Sequence, residues 1–233
     1  MLTRLKRAVA KQFGRRPQRP HFDAAAYWEK RHRAHGTALT GVGHIELSAA
    51  QNAADYDVKL SRVVAALERA VGSLADKKTL DAGCGIGLLT ERLEQHGGAV
   101  TAVDVSATAI ATARQRTSAA VTYHCIPLDA MTWEAQFDCV VCMDVLFHVV
   151  DDAQWQRALA RLVAAAKPGA PILIQEMLGK AGQNNAIHVR WRSLDMYRDG
   201  LALCGAAIER QETYRLPSEG AEKDILTIRC APA

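Results

Sequence analysis

The chain lacks any long apolar run, which limits where it can work. Although 49% of its 233 residues are hydrophobic, no segment approaches the roughly 20 apolar residues that a membrane-spanning helix needs. Its beginning also lacks an apolar segment followed by a small-residue cleavage site, as secretory signals have. We therefore expect a soluble, cytoplasmic protein whose length suits one domain with an N-terminal extension.

A cysteine framework for disulfides or a metal is missing too. Of the six cysteines, Cys139 and Cys142 have CxxC spacing, but they lie within the apolar run of residues 137–143. Residues three apart in a strand point to opposite faces, so these two thiols cannot bind one metal. We expect buried, reduced cysteines and no metal site.

Acidic residues are absent from residues 1–20. The whole chain has a net charge of +4, of which these residues supply +7, leaving −3 for the rest. That balance argues against nucleic acid as a partner. Four apolar residues in this segment have helical spacing: Leu2, Leu5, Val9 and Phe13. The segment is either an amphipathic helix that touches the inner membrane surface or a partner, or a solvated tail.

Two patterns of apolar residues divide the rest of the chain, residues 21–233, into two parts. Residues 21–75 are helical in character, with the clearest helices predicted over 24–33 and 56–71. From residue 76 to 233, apolar runs alternate with helical stretches at 88–96, at 107–117 and around Trp155. The apolar runs are 78–82, 99–103, 121–126, 137–143 and 171–175. This alternation predicts an α/β fold, with a parallel sheet covered by helices on both faces.

A glycine loop follows the first predicted strand. Gly83, Gly85 and Gly87 permit a tight turn and a close approach of ligand to backbone. Asp104 ends the second strand, where an acidic side chain can accept hydrogen bonds from ribose hydroxyls. Asp104 could instead cap the next helix, although Ser106 is better placed for that role. The pattern predicts a nucleoside-containing cofactor at the carboxyl ends of the strands.

Residues 80–87, Leu-Asp-Ala-Gly-Cys-Gly-Ile-Gly, resemble the first motif of class I S-adenosylmethionine-dependent methyltransferases. Asp104, Asp129, residues 137–149 and Lys167-Pro168-Gly169 resemble later motifs, with Ala170 replacing a second glycine. The resemblance covers residues 76–230. It implies a Rossmann-like, doubly wound, mostly parallel seven-stranded sheet, and S-adenosylmethionine as a cofactor that becomes S-adenosylhomocysteine. The cofactor-binding residues that it implies are Asp81, Gly83, Cys84, Gly85, Gly87, Asp104, Val105, Asp129, Ala130 and Met143.

The N-terminal helices resemble a lid. Residues 27–32, Tyr-Trp-Glu-Lys-Arg-His, are similar to the opening of many bacterial small-molecule and glycan methyltransferases. That resemblance implies that residues 21–75 fold over the cofactor. Tyr27 and Arg31 then become candidate contacts to its methionine carboxylate, and His44 to the substrate. The alternative is that these aromatic residues only pack the lid.

His148 is the candidate general base, because it follows the fourth strand on the side where ligands bind. If the chain turns helical there, Asp144 lies one turn before His148 and can fix its tautomer. His148 could instead be a packing residue or a cofactor contact, and a divalent metal among Asp151, Asp152 and these groups stays open. His188, in the insertion after the fifth strand, is a second candidate and a predicted substrate contact.

These features favour O-methylation of a small-molecule or saccharide acceptor, in which a base removes the hydroxyl proton. An N-methyltransferase or an RNA methyltransferase is the alternative, although the Asn/Asp-Pro-Pro-Tyr motif of amino methylation is absent. A non-catalytic cofactor-binding module is a third hypothesis. A dehydrogenase is disfavoured because nicotinamide fingerprints space their glycines as GxGxxG. The oligomeric state is left open.

Overall fold

The structure is a computed structural model, and it describes residues 22–179, 186–218 and 220–230. The predicted amphipathic segment, residues 1–20, lies outside these. Six helices are described: α1 (Ala24–His35), α2 (Ala49–Val71), α3 (Leu88–Gln95), α4 (Ala107–Ala113), α5 (Asp152–Ala165) and α6 (Leu194–Ala202). Short 3-10 turns cover Leu39–Gly41, Leu128–Ala130 and Leu146–His148.

Seven strands form one sheet in the order β3-β2-β1-β4-β5-β7-β6. They are β1 (Lys78–Ala82), β2 (Ala99–Asp104), β3 (Thr122–Cys125), β4 (Cys139–Met143), β5 (Ile172–Glu176), β6 (Ala206–Arg215) and β7 (Glu222–Cys230). The first five strands are parallel, and β7 runs antiparallel to both of its neighbours. This confirms the expected doubly wound, mostly parallel fold. The strand order reverses between β1 and β4, where such sheets bind their ligands.

Apolar residues cover both faces of the sheet. One cluster joins α2, α3 and α4 to the sheet through residues such as Leu67, Leu93 and Val141. The other joins α5 and α6 to the opposite face, with Trp155 at its centre. Cys139 belongs to the first cluster and the buried Cys142 to the second, as the strand alternation predicts. Both thiols are free.

Helix α2 is longer than its apolar periodicity indicates. It begins at a capping box in which Ser48 accepts from the Gln51 amide and Gln51 bonds back to the Ser48 amide. Such a box satisfies amides that a helix start leaves unpaired. The predicted start at Tyr56 was wrong because the first two turns owe their helicity to this cap. None of the described helices is both long and apolar enough to cross a membrane.

Candidate active site

A cavity of about 630 Å³ opens at the carboxyl ends of β1, β2 and β4, a size typical of small-molecule sites. Trp28 and His32 of α1 close over it. The predicted site residues on its wall are Gly83, Cys84, Gly85, Asp104, Val105, Asp129, Met143 and His148. The other predicted residues do not line it: Asp81, Gly87, Ala130, Tyr27, Arg31, His44 and His188.

The glycine loop after β1 brings backbone amides to the cavity. Gly83 has a φ of +88°, and a Cβ there would lie 2.3 Å from Cγ2 of Val145. Any side chain would therefore push away the segment that follows β4. Gly85, at a φ of +53°, lies on the wall, and its amide donates to Oδ2 of Asp104 over 2.8 Å. Gly87 packs against Ala113 of α4 instead.

Asp104 ends β2 beside this loop. Its Oδ1 accepts from the amide of Ser106 at 2.9 Å, so two amides hold the carboxylate in place. Burial raises the pKa of Asp104, although these amide bonds oppose that rise. Ser106 caps α4 by accepting from the Ala109 amide, as predicted. Asp104 is therefore not needed as a helix cap.

The two remaining predicted carboxylates differ in position. Asp129 lies on the wall, where Oδ1 accepts from Nε2 of Gln154 at 3.1 Å and Oδ2 pairs with Arg157 at 3.1 Å. Asp81 is buried behind the glycine loop, and its Oδ2 accepts from the Thr90 hydroxyl at 2.7 Å. Burial raises the pKa of Asp81 to about 7. Asp81 therefore supports the loop by joining β1 to α3.

His148 lies on the wall in the turn after β4, with one ring nitrogen engaged. Its Nδ1 lies 2.8 Å from the main-chain oxygen of His188. A carbonyl oxygen only accepts, so Nδ1 carries the proton and Nε2 holds the free lone pair. Burial lowers the pKa of His148 to about 4; the hydrogen bond to the His188 carbonyl and the charge of Asp144 oppose this shift, while the charges of the His188 ring and Arg31 add to it. The ring is therefore neutral at physiological pH.

The expected pairing of Asp144 with His148 is wrong. Asp144 has a φ of +56°, and a 3-10 turn, not an α-helix, carries His148. The Asp144 carboxylate instead binds Nζ of Lys59 at 2.9 Å and Nζ of Lys223 at 2.5 Å. These cations hold the pKa of Asp144 well below its usual range, against the effect of burial.

Sequence reasoning missed this buried ion cluster, which also approaches Glu176. Burial raises the pKa of Glu176 to about 8, while its Oε1 accepts from the Leu146 amide at 2.8 Å. The feature of the sequence that could have indicated this cluster is Lys59, a charged residue on the apolar face of α2. The structure buries Lys59 together with Leu60 and Val63. The cluster joins α2, β4 and β7 beside the cavity.

The lid residues chosen from the sequence hold the lid together. The Arg31 guanidinium donates to the main-chain oxygens of Thr40, Gly41 and Gly43 at 2.7–3.0 Å, and to the Tyr27 hydroxyl at 3.2 Å. His44 is exposed and accepts from the Glu46 amide. Trp28 and His32, their neighbours in α1, line the cavity together with Ala24 and Ala25.

Glu29 fastens this lid to the sheet domain. It accepts from the Ser106 hydroxyl at 2.8 Å and from the hydroxyl and amide of Thr108 at 2.6 and 3.1 Å. Chiefly the Thr108 bonds lower the pKa of Glu29 to about 2. Because Ser106 follows Asp104 closely, the contact closes the lid directly above the acidic end of β2.

The cavity wall suits a nucleoside that carries positive charge. Its carboxylates belong to Asp23, Asp104, Asp129 and Asp144, and no Lys or Arg lines it within the described part of the chain. Asp104 and the loop amides supply acceptors and donors for hydroxyl and carboxylate groups. A pyrophosphate would meet the Asp104 carboxylate on a wall that carries no Lys or Arg among its described residues, which disfavours a dinucleotide.

The two aspartates that the sequence leaves open as metal ligands, Asp151 and Asp152, have other partners. Asp151 caps α5 by accepting from the Gln154 amide at 2.7 Å. Asp152 pairs with Arg190 and Arg192. Within the described residues, no group of three or more His, Cys, Asp and Glu side chains is arranged to hold a metal ion.

Residues 79–169 match the family model described as a methyltransferase domain. This match covers β1 to β4 together with the glycine loop, so this part of the chain is similar to methyltransferase domains. The ubiquinone biosynthesis O-methyltransferase of Pseudomonas aeruginosa (strain LESB58) is 40% identical to it over 124 residues, 51% of each protein. The chain thus matches about half the length of this curated relative.

Solved structures share the fold over most of the chain. The Burkholderia thailandensis 1,6-didemethyltoxoflavin-N1-methyltransferase, with its substrate and S-adenosylhomocysteine bound, has a TM-score of 0.69 at 21% identity. The match covers 92% of this chain and 93% of that one. The magnesium protoporphyrin IX methyltransferase of Synechocystis PCC 6803, with bound S-adenosylmethionine, has a TM-score of 0.70 at 20% identity, covering 92% and 100%. These likenesses concern the fold alone.

Proposed function

We propose that this chain transfers a methyl group from S-adenosylmethionine to a hydroxyl oxygen of an uncharged small molecule, with His148 as general base. The observation that carries the proposal is the free Nε2 of His148 on the wall of the cavity that also holds Gly85 and Asp104. The names of the curated relatives support transfer to oxygen rather than nitrogen.

The chain's own groups account for cofactor binding. In this proposal Asp104 accepts from the ribose hydroxyls, the amides of the glycine loop approach the methionine part, and Asp129 accepts from the adenine amino group. When bound, the cofactor supplies a sulfonium-activated methyl group. Trp28 and His32 cover the cavity from α1 and exclude water from the reacting atoms.

His148 then acts on the acceptor. Its Nε2 accepts the hydroxyl proton as the oxygen attacks the methyl carbon, and the proton stays on Nε2 until it passes to solvent. The His188 carbonyl keeps the proton on Nδ1, so the lone pair on Nε2 is available to accept the proton of the acceptor. An amine that is already neutral would not need this group, which is why the alternative of N-methylation predicts a small effect of removing it.

The cavity also selects the acceptor. Since no Lys or Arg is found on its described wall, and the lysines behind it are paired with Asp144, a carboxylate or phosphate group of the acceptor would meet no unpaired cation. Phe22, Trp28 and Val149 on that wall offer apolar surface to a ring-containing acceptor. The same charge pattern disfavours RNA, whose phosphates need cations.

The test is a methyl-transfer assay with radiolabelled S-adenosylmethionine. We expect label in a neutral hydroxyl acceptor such as catechol or a nitrophenyl glycoside, and much less in the carboxylated analogue protocatechuate. Transfer to aniline and RNA but to no hydroxyl acceptor would overturn the proposal.

Cofactor binding gives a second measurement. Asp104→Ala removes charge-assisted bonds worth roughly 1.5–3 kcal/mol, so calorimetry should show a Kd for S-adenosylhomocysteine about ten- to a hundred-fold weaker. Asp104→Asn keeps the side-chain shape and should weaken binding as well. Asp195→Ala is the matched control, since its exposed carboxylate pairs only with Arg198 in the structure. Unchanged affinity in both Asp104 variants, or tighter binding of NADH, would contradict the assignment.

A further inference from the structure

The segment of residues 186–192, here called the strap, crosses the turn that carries His148. The main-chain oxygen of His188 accepts from His148, and the amide of Arg190 donates to the Phe147 oxygen at 2.7 Å. Both bonds are made by the strap's backbone. The strap backbone therefore contacts two successive residues of the turn, Phe147 and His148.

Arg192 completes this contact from beneath the turn. Its Nη1 donates to the Leu146 oxygen at 3.2 Å, and its Nη2 donates to the Val149 oxygen at 2.8 Å and to Oδ1 of Asp152 at 3.1 Å. The two carbonyls flank Phe147 and His148, so one guanidinium hydrogen-bonds to both ends of the turn. These bonds need several N–H donors held in one plane, which the guanidinium of arginine has and the ammonium of lysine lacks.

Burying the charged side chain of Arg192 costs desolvation free energy, which indicates a role beyond packing. Its side chain is 1% exposed, and it lies 4.5 Å above the Trp155 ring, inside the apolar core. Asp152 is its ionic partner and also pairs with Arg190. A buried ion pair seldom adds stability over apolar residues of similar volume. The guanidinium instead fixes the conformation of the turn, because its N–H groups donate to two carbonyl oxygens of that turn.

The lid meets the strap at the same place. The Tyr27 ring stacks on the His188 ring with centroids 5.1 Å apart, and Trp28 meets the His148 ring edge-on at 4.7 Å. His148 is thus held between α1, which covers the cavity, and the strap. A shift of the turn would move its ring relative to both.

We propose that Arg192 is a positioning residue that fixes the 146–149 turn, and through it the ring orientation and tautomer of His148. This inference rests on the proposed function of His148, and it adds a residue that touches neither cofactor nor acceptor. A misplacement of about 1 Å at a reacting group can cost about 10²-fold in rate.

The experiment compares Arg192→Lys and Arg192→Met with the exposed-arginine control Arg198→Met. We expect kcat to fall about 10²-fold in both Arg192 variants, with the Kd for S-adenosylhomocysteine within a few-fold of wild type. Lysine keeps the charge but not the fork, so it should not restore kcat. Asp152→Asn leaves both carbonyl bonds in place and should lower kcat less than the Arg192 variants do. If Arg192→Met does not fold, Arg192→Lys, which keeps a cation beside Asp152, is the variant that is measured.

A second readout follows His148 itself, independently of turnover. Long-range ¹H–¹⁵N NMR spectra of the histidine rings should show a single Nδ1–H tautomer in the wild type and a mixture in Arg192→Lys. The apparent pKa of His148 should rise from about 4 towards its ordinary value as the ring gains solvent. Unchanged tautomer and titration in folded Arg192 variants would overturn the inference, whatever happens to kcat. If His148→Ala stays active, the proposed function fails, while these spectra still decide what Arg192 does.

Discussion

Replacing His148 with alanine should lower kcat about 10²–10⁴-fold, the usual contribution of a general base. The reason is that the neighbouring imidazole, the His188 ring stacked 5.9 Å from the His148 ring, does not line the cavity. The other imidazole on the described wall belongs to His32, in the lid helix. The Kd for S-adenosylhomocysteine should stay within a few-fold. Single-turnover rates and calorimetry on the same preparations measure both quantities.

His44→Ala is the control for this substitution, because that side chain is exposed and lies off the cavity. It should change neither kcat nor Kd appreciably. A His148→Ala variant that loses cofactor binding together with activity would make His148 a binding or packing residue. A loss of activity below about ten-fold would mean that the acceptor needs no base.

The pH dependence has a definite sign. The base must be unprotonated, and burial lowers the pKa of His148 to about 4. The acidic limb of kcat should therefore fall near pH 4, and kcat should not decline between pH 7 and 5 on account of this group. An unperturbed histidine would place that limb near 6.5, which is the value that the sequence alone suggests.

Asp144→Ala should lower the free energy of unfolding by about 3–5 kcal/mol, the cost of leaving buried charges unpaired. The side chains of Lys59 and Lys223 are 9% and 6% exposed, and Asp144 is the carboxylate that both bind. Urea denaturation followed by circular dichroism measures the loss. Asp195→Ala, an exposed carboxylate with an exposed partner, should change stability by less than about 0.5 kcal/mol.

The same cluster predicts an acid limit to stability. The folded-state pKa of Asp144 is depressed, so its contribution is fully present above the ordinary pKa of aspartate and is lost as the pH falls from there through the lower folded-state pKa. Lys59→Met combined with Asp144→Ala should recover part of the loss, since one cation is removed. A loss below 1 kcal/mol in the single variant would show that water reaches the lysines.

Local patterns predicted the fold well where they extended over whole elements. The apolar runs located all five parallel strands, β1 to β5, within two residues at each end, and the Lys167-Pro168-Gly169 stop agrees with a helix that ends at Ala165. Helix α6 and the bounds of β6 and β7 did not emerge from periodicity. Strand β6 has an irregular register at Ile208–Arg210, and its mostly exposed face weakens the alternation of apolar and polar residues.

The sequence by itself determined the five parallel strands, the glycine loop and the acidic end of β2, because each depends on neighbours within a turn or a strand. The partners of the chemical groups were decided only by the tertiary structure. Asp144 meets Lys223, 79 residues away, and His148 meets His188, 40 residues away. Spacing along a chain carries no information on such contacts, since the ends of separate strands and a returning loop bring them together. The tautomer and the low pKa of His148 follow from that enclosure.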